Sequence, residues 1–346
     1  MKYWLSFGLV VLKLTTVDAA EVDQFTQLTG LDDSSEIIAQ EVNRRMRLAV
    51  DKANSAFPRP LQHKKIHHIK RPQCDINRLY GQLQYQLARP LVGQLESFAE
   101  QSPQVDRRRV SFSDSIYQDY LPKEAPTLVL SERIAAVIKV NGVEIGSDKL
   151  GHFFTEGHSY FEVTNRLREG TKFGFLFGDW SESLYYGAQT TGVFSYADLT
   201  ANFNGLRFWN RILANQPDPL NQQTVIPYIR CENRRWVVNN PFDFDGYIDS
   251  GWNEAVNCSA FRTAQLLQKV MSHQAVCRVE QLPKRYAMIG HDIINHEGLK
   301  VLPENLQPEV ILERRTIDLP WKLPEQARER IREIRLDLEQ WRSRAE

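Results

Sequence analysis

From Ser195 to Leu213 the chain reads as one helix, and its apolar stripe of Leu199, Ala201, Gly205, Leu206, Trp209, Ile212 and Leu213 also contains Asp198 and Asn202. Both polar side chains are therefore predicted to point inward. A buried, unpaired carboxylate costs several kcal/mol, so a fold that accepts this helix must bring Asp198 a partner or a proton. Tyr196, Thr200, Asn204, Arg207 and Arg211 take the opposite side. Gly205, one turn beyond Asn202, lets another backbone approach closely.

A second helix is predicted from a cap at Ser147 or Asp148 to about Glu169, before Gly170. Leu150, Phe153, Phe154, Gly157, Phe161 and Thr164 gather on one side of it; Asp148, His152, Glu156 and Ser159 lie on the other, which read alone is a solvated face. Lys149 and His152 are the candidate partners for Asp198, and Glu182, between the two helices, is placed to complete a cluster. Asp148, His152, Glu182 and Asp198 are metal-ligand side chains. With Lys149 they are equally candidates for acid/base chemistry, while Ser195, Asn202 and Gly205 are candidates for ligand contact. The expectation is a buried ion-pair network that fixes the helix crossing in a non-catalytic structural or binding protein; the alternatives are a metal-dependent or acid/base hydrolase using His152 and the nearby carboxylates, and a ligand pocket.

The same residues carry a resemblance. Asp148-Lys149-Leu150-Gly151-His152-Phe153, Glu182, and Ser195-Tyr196-Ala197-Asp198-Leu199-Thr200-Ala201-Asn202-Phe203-Asn204-Gly205 resemble the D-K-x-x-H-F, E, S-x-x-D-x-x-A-N-x-x-G pattern of VanZ-like proteins and related small bacterial envelope lipoproteins. The match covers about sixty residues. It implies a bacterial cell-envelope setting and no particular reaction. VanZ-like proteins are membrane-embedded, whereas the matching helices here are too polar for lipid, and the long flanking segments have no counterpart in the pattern.

The first residues favour export. Lys2, the apolar run Tyr3 to Leu12 and Val17-Asp18-Ala19-Ala20 form a secretory signal, with cleavage expected after Ala19. The apolar run is too short to span a bilayer and no later window approaches that length, so no transmembrane span is expected after cleavage. A periplasmic or secreted location follows. Forty-three basic residues balance forty-three acidic ones, which removes the positive field that nucleic-acid binding needs and leaves an envelope glycan, lipid or protein as partner. Four cysteines in an exported chain imply two disulfides. Cys231 with Cys258 is the favoured pair, because the Asn-, Asp-, Pro- and Gly-rich segment between them calls for a staple, and Cys74 with Cys277 remains.

Elsewhere, Ile37, Ile38, Val42, Met46, Ala49, Val50 and Ala53 mark an amphipathic helix from Ser34 to about Ser55. It is expected to pair antiparallel with a helical stretch from about Cys74 to Glu100 that breaks near Arg89-Pro90. Between them, the connector His63 to Pro72 carries three histidines and reads as a solvated basic segment. Ala135 to Val140 and Val143 to Ile145, separated by Asn141-Gly142, form a hairpin. Residues 214–260 read as loop-rich, Ala260 to Met271 as helical, and Pro324 to about Arg344 as a charged helix with Ile331, Ile334, Leu338 and Trp341 on one stripe.

The fold class expected is mainly α: a helical bundle-like single domain with a small β-hairpin and a disulfide-stapled loop-rich segment. The division is 1–19 signal peptide, 20–110 N-terminal helical extension, 111–320 core domain with the polar motif, and 321–346 C-terminal amphipathic helix. One further candidate is the acidic loop Asp243 to Asp249, closing with Glu254. It has EF-hand length but Ile248 where the sharp turn requires glycine, so only an irregular calcium site is open to it. Trp236, Phe242, Phe244, Tyr247 and Trp252 either anchor that loop or stack on a sugar.

Overall fold

In α1 (Ser35–Asn54) the residues Ile38, Val42, Met46, Ala49, Val50 and Ala53 are buried, as their helical spacing requires. The computed structural model describes residues 21–26, 30–55, 74–89, 93–167 and 171–312. The expected signal peptide, the histidine connector and the C-terminal amphipathic helix lie outside the described residues. Opposite α1 runs α2 (Ile76–Leu87), capped by Asp75, which accepts from the Arg78 N–H, and burying Leu79, Leu83 and Leu87. The pair is antiparallel: Arg78 at the start of α2 donates to the Lys52 carbonyl, and Arg45 in mid-α1 donates to the Gln86 carbonyl. After α2, α3 (Gln94–Gln101) runs beside the first turns of the motif helix.

Chain entry and the central elements are joined by short strands. β1 (Glu21–Val22) pairs in parallel with β2 (Ile134–Ala135), which follows α4 (Pro126–Ser131). β3 (Val137–Val140) and β4 (Val143–Gly146) form the expected hairpin, with Asn141 and Gly142 both at positive φ in its turn. The hairpin delivers the chain into α5 (Asp148–Gly151), a π-helical stretch (His152–Glu156) and α6 (Gly157–Leu167).

That π-helical stretch and the packing around it correct the expected solvated face. One extra residue per turn rotates the face away from regular 100° spacing. Asp148 and Glu156 are buried and His152 is half-buried, because α3 and, later in the chain, the helix over 196–211 cover this side. A helix not foreseen, α7 (Thr171–Leu184), follows. Its Gly174 and Gly178 lower helix propensity, yet Gly178 is required there, since any Cβ would collide with the Tyr160 hydroxyl.

α8 (Tyr196–Arg211) is the axis of the molecule, and every residue from Tyr196 to Asn210 is buried. The side opposite its apolar stripe is therefore no surface. Thr200 donates to the carbonyls of Tyr196 and Ile293, Asn204 donates to the Tyr286 hydroxyl, and Arg207 holds Asp218 through two 2.8 Å bonds. Gly205 packs against Gly157 and the Phe153 carbonyl so closely that a Cβ on either glycine would overlap backbone. That contact sets the crossing of α6 and α8, the close approach its sequence position anticipates.

β5 (Val193–Phe194), before α8, joins a three-stranded sheet in the order β5-β8-β9 with β8 (Ala260–Phe261) and β9 (Lys300–Val301). The expected helix from Ala260 begins later, as α9 (Ala264–Ser272) with Thr263 as its cap. Within the loop-rich segment, β6 (Ile229–Glu232) and β7 (Arg235–Val238) form a second hairpin. The described chain is thus mainly helical with small sheets.

The disulfides are Cys74–Cys231 and Cys258–Cys277, which overturns both expected pairings. The segment after Cys231 needs no staple across its ends, because Phe242, Phe244, Tyr247, Ile248 and Trp252 bury themselves in the main core beside Phe153 and Phe208. Cys231 instead lies on the hairpin that packs on α1, where Trp236 donates to the Asp75 carbonyl and brings Cys74 within reach.

Candidate functional site

Ser195 caps α8 and places Asp198 in its first turn: the Ser195 hydroxyl accepts from the Asp198 N–H and donates to Glu254 at 2.8 Å. Across from it, Lys149 on α5 is fully buried. Its ammonium lies 2.7 Å from Asp148 Oδ2, 2.6 Å from Asp198 Oδ1 and 2.6 Å from Glu254 Oε1. Burial opposes this charge, but the three carboxylates outweigh it and hold the ammonium well above its ordinary range. Lys149 is therefore a fixed cation and no neutral base. Ser195, buried and committed to Glu254, is no exposed nucleophile.

His152, one turn beyond Asp148, meets the outer side of the same carboxylate. Its Nε2 lies 3.2 Å from Asp198 Oδ2 and its Nδ1 lies 3.1 Å from Asn202 Oδ1. The inward pair predicted on α8 thus closes on both nitrogens of one imidazole. An imidazole nitrogen beside a carboxylate oxygen can donate a hydrogen to it or, as the lone-pair nitrogen, share a cation with it. Asp148, His152 and Asp198 each offer one ligand atom, all within 4.8 Å of one another, and they are the one such group among the described residues.

Around this centre, acids outnumber bases. Glu182 is buried on the same cluster, as its sequence position suggests, but stands outside the three-residue ligand group. Burial first, then Asp198 and Glu21, push its carboxyl well above the ordinary value. Glu21, at the chain entry, is raised by burial and by Glu254, against a hydrogen bond with Thr191. Burial also raises Glu254 to about 7 despite Lys149, and raises Glu96 to about 7 with Asp148 adding to it. One oxygen each of Asp148, Glu182 and Glu254 is buried without a hydrogen-bond partner.

Glu21, Glu96 and Glu254 were not singled out as members of this centre. Glu254 carried a sequence signal of the wrong kind, as the end of a calcium-type loop. That loop does not converge: Asp243 accepts from the Asp245 N–H, Asp249 accepts from the Gly251 N–H and pairs with Arg285, and Glu254 turns inward to Lys149. These carboxylates therefore form no calcium site. Nor do Trp236, Phe242, Phe244, Tyr247 and Trp252 form a sugar platform, since all are buried. Gly205 contacts backbone and serves packing, while Asn202 and Ser195 join the centre through His152 and Glu254.

No protein-family model, curated protein or solved structure matches this chain.

Proposed function

We propose that Asp148, His152 and Asp198 hold a divalent cation in an exported protein of the bacterial cell envelope. The observation that carries this is the 3.2 Å approach of His152 Nε2 to Asp198 Oδ2 while Nδ1 faces Asn202 Oδ1. In the tautomer that donates from Nδ1 to Asn202 Oδ1, Nε2 turns a lone pair toward a carboxylate oxygen. Two atoms bound to one metal at about 2.1 Å and roughly 90° stand about 3 Å apart, so a shared cation fits that spacing. The surplus of buried carboxylates supplies the charge to match it, and the Asn202 contact is the usual outer support of a metal-bound histidine.

The ion would supply Lewis-acid polarisation or an activated water, so metal-assisted hydrolysis is the reaction class we assign to the centre. The envelope setting draws on the VanZ-like residue pattern, on the two disulfides, which belong to an oxidising compartment, and on the expected signal peptide. No helix among the described residues is long and apolar enough to cross a membrane. We read the chain as one bundle-like domain, because a single apolar cluster runs from α1 and α2 through α5 to α8.

A second reading, a non-catalytic envelope protein with a sealed polar network that binds glycan, lipid or protein, draws on the complete burial of Lys149 among three carboxylates. Thermal unfolding in chelator and then in millimolar Mn2+ or Zn2+ separates the two. The metal reading expects a stabilisation that grows with ion concentration in the parent and vanishes in His152→Ala. A sealed network expects none.

A further inference from the structure

Glu96 on α3 is the one carboxylate of the centre that comes from the N-terminal helices. Its side chain is 19% exposed. Glu100, one turn on, accepts from the Ala136 N–H and the Ser147 hydroxyl, which fastens α3 along the start of α5. Glu96 is thereby carried to the turn between Asp148 and His152.

Two glycines make room for it. A Cβ on Gly151 would stand 2.9 Å from Glu96 Oε2, and a Cβ on Gly93 would stand 2.5 Å from the same oxygen. One carboxylate oxygen therefore rests between the Cα atoms of the residue that opens α3 and the residue that precedes His152. The other oxygen, Oε1, lies 3.8 Å from the Arg133 guanidinium, longer than a direct hydrogen bond. The Asp148 carboxylate adds to burial in pushing the Glu96 carboxyl up in this corner.

We propose that Glu96 is the fourth protein ligand of the cation centre, swinging from its slot between Gly93 and Gly151 to join Asp148, His152 and Asp198. The inference rests on the cation reading above. It makes the N-terminal helices part of the site, and it defines a donor set of one imidazole and three carboxylates. Such a set suits oxygen-preferring divalent ions such as Mn2+ over thiolate-seeking ones. Glu96 itself stands outside the three-residue ligand group, so joining it takes a rotation of its side chain.

The test is calorimetric titration of the metal-stripped full-length protein with Mn2+ and, separately, with Zn2+, in the parent, Glu96→Gln and Glu96→Asp. Unfolding in chelator checks that each variant is folded. Loss of a ligand lowers affinity by about tenfold or more in Glu96→Gln. Glu96→Asp keeps the charge but falls short by one methylene, so it weakens binding while leaving the fold intact should the amide variant fail to fold. Parent-like affinity in either folded variant overturns the assignment of Glu96 and leaves the three-residue centre standing. Absence of binding in the parent overturns both.

Discussion

Lys149 Nζ lies 2.6 Å from Asp198 Oδ1 and so ties the first turn of α5 to the first turn of α8 inside the core. Removing one side of a buried pair leaves the other uncompensated. Lys149→Met is expected to cost about 3–5 kcal/mol, read by urea unfolding at neutral pH. A variant as stable as the parent would mean that the three carboxylates around Lys149 are already protonated.

Glu96 and Glu254 titrate at about 7 in the folded protein, above their ordinary value of 4.5. Between those values the folded state holds more protons than the unfolded state, so stability is fully present below about 4.5 and is lost as pH rises through 7. Tm in chelator is expected to fall from about pH 5.5 to about pH 8, and a bound divalent cation should shrink that fall. A Tm that rises over this range would contradict the assigned shifts.

Gly205 touches Gly157 and the Phe153 carbonyl with no space for a side chain. Gly205→Ala is expected to destabilise by about 1–3 kcal/mol through overpacking. Because Gly205 contributes no donor atom, cation affinity per folded molecule should stay near that of the parent. A large loss of affinity with unchanged stability would give this glycine a role at the site that its contacts do not explain.

The two disulfides close loops of very different length, with separations of 157 and 19 residues. In the loop-entropy account the first contributes about 5 kcal/mol and the second about 3 kcal/mol. Replacing Cys74 and Cys231 by serine should therefore lower the urea midpoint more than replacing Cys258 and Cys277. The reverse order would place the larger constraint at the shorter loop.

Periodicity and turn chemistry made α1, the β3–β4 hairpin and α8 legible, because each is governed by local spacing or by a turn dipeptide. The convergence of Asp198 and Asn202 with Lys149 and His152 was legible for the same reason: a carboxylate inside an apolar stripe demands a partner. Three things were not. The π-helical stretch at His152–Glu156 depends on tertiary packing and leaves no period of its own. The Cys74–Cys231 link depends on which hairpin packs on α1 and so comes within reach of Cys74. Glu21, Glu96 and Glu254 reach the centre from three distant segments, and nothing local to any of them announces it.

The central claim is that Asp148, His152 and Asp198 share a cation. Elemental analysis of the mature protein, purified without chelator or metal-binding tag and set beside a His152→Ala variant, tests it most directly. The account predicts close to one divalent ion per chain in the parent and its loss in a variant that still unfolds cooperatively. Metal-free protein in both, after incubation with Mn2+ and Zn2+, would contradict it and leave the cluster a structural ion-pair network.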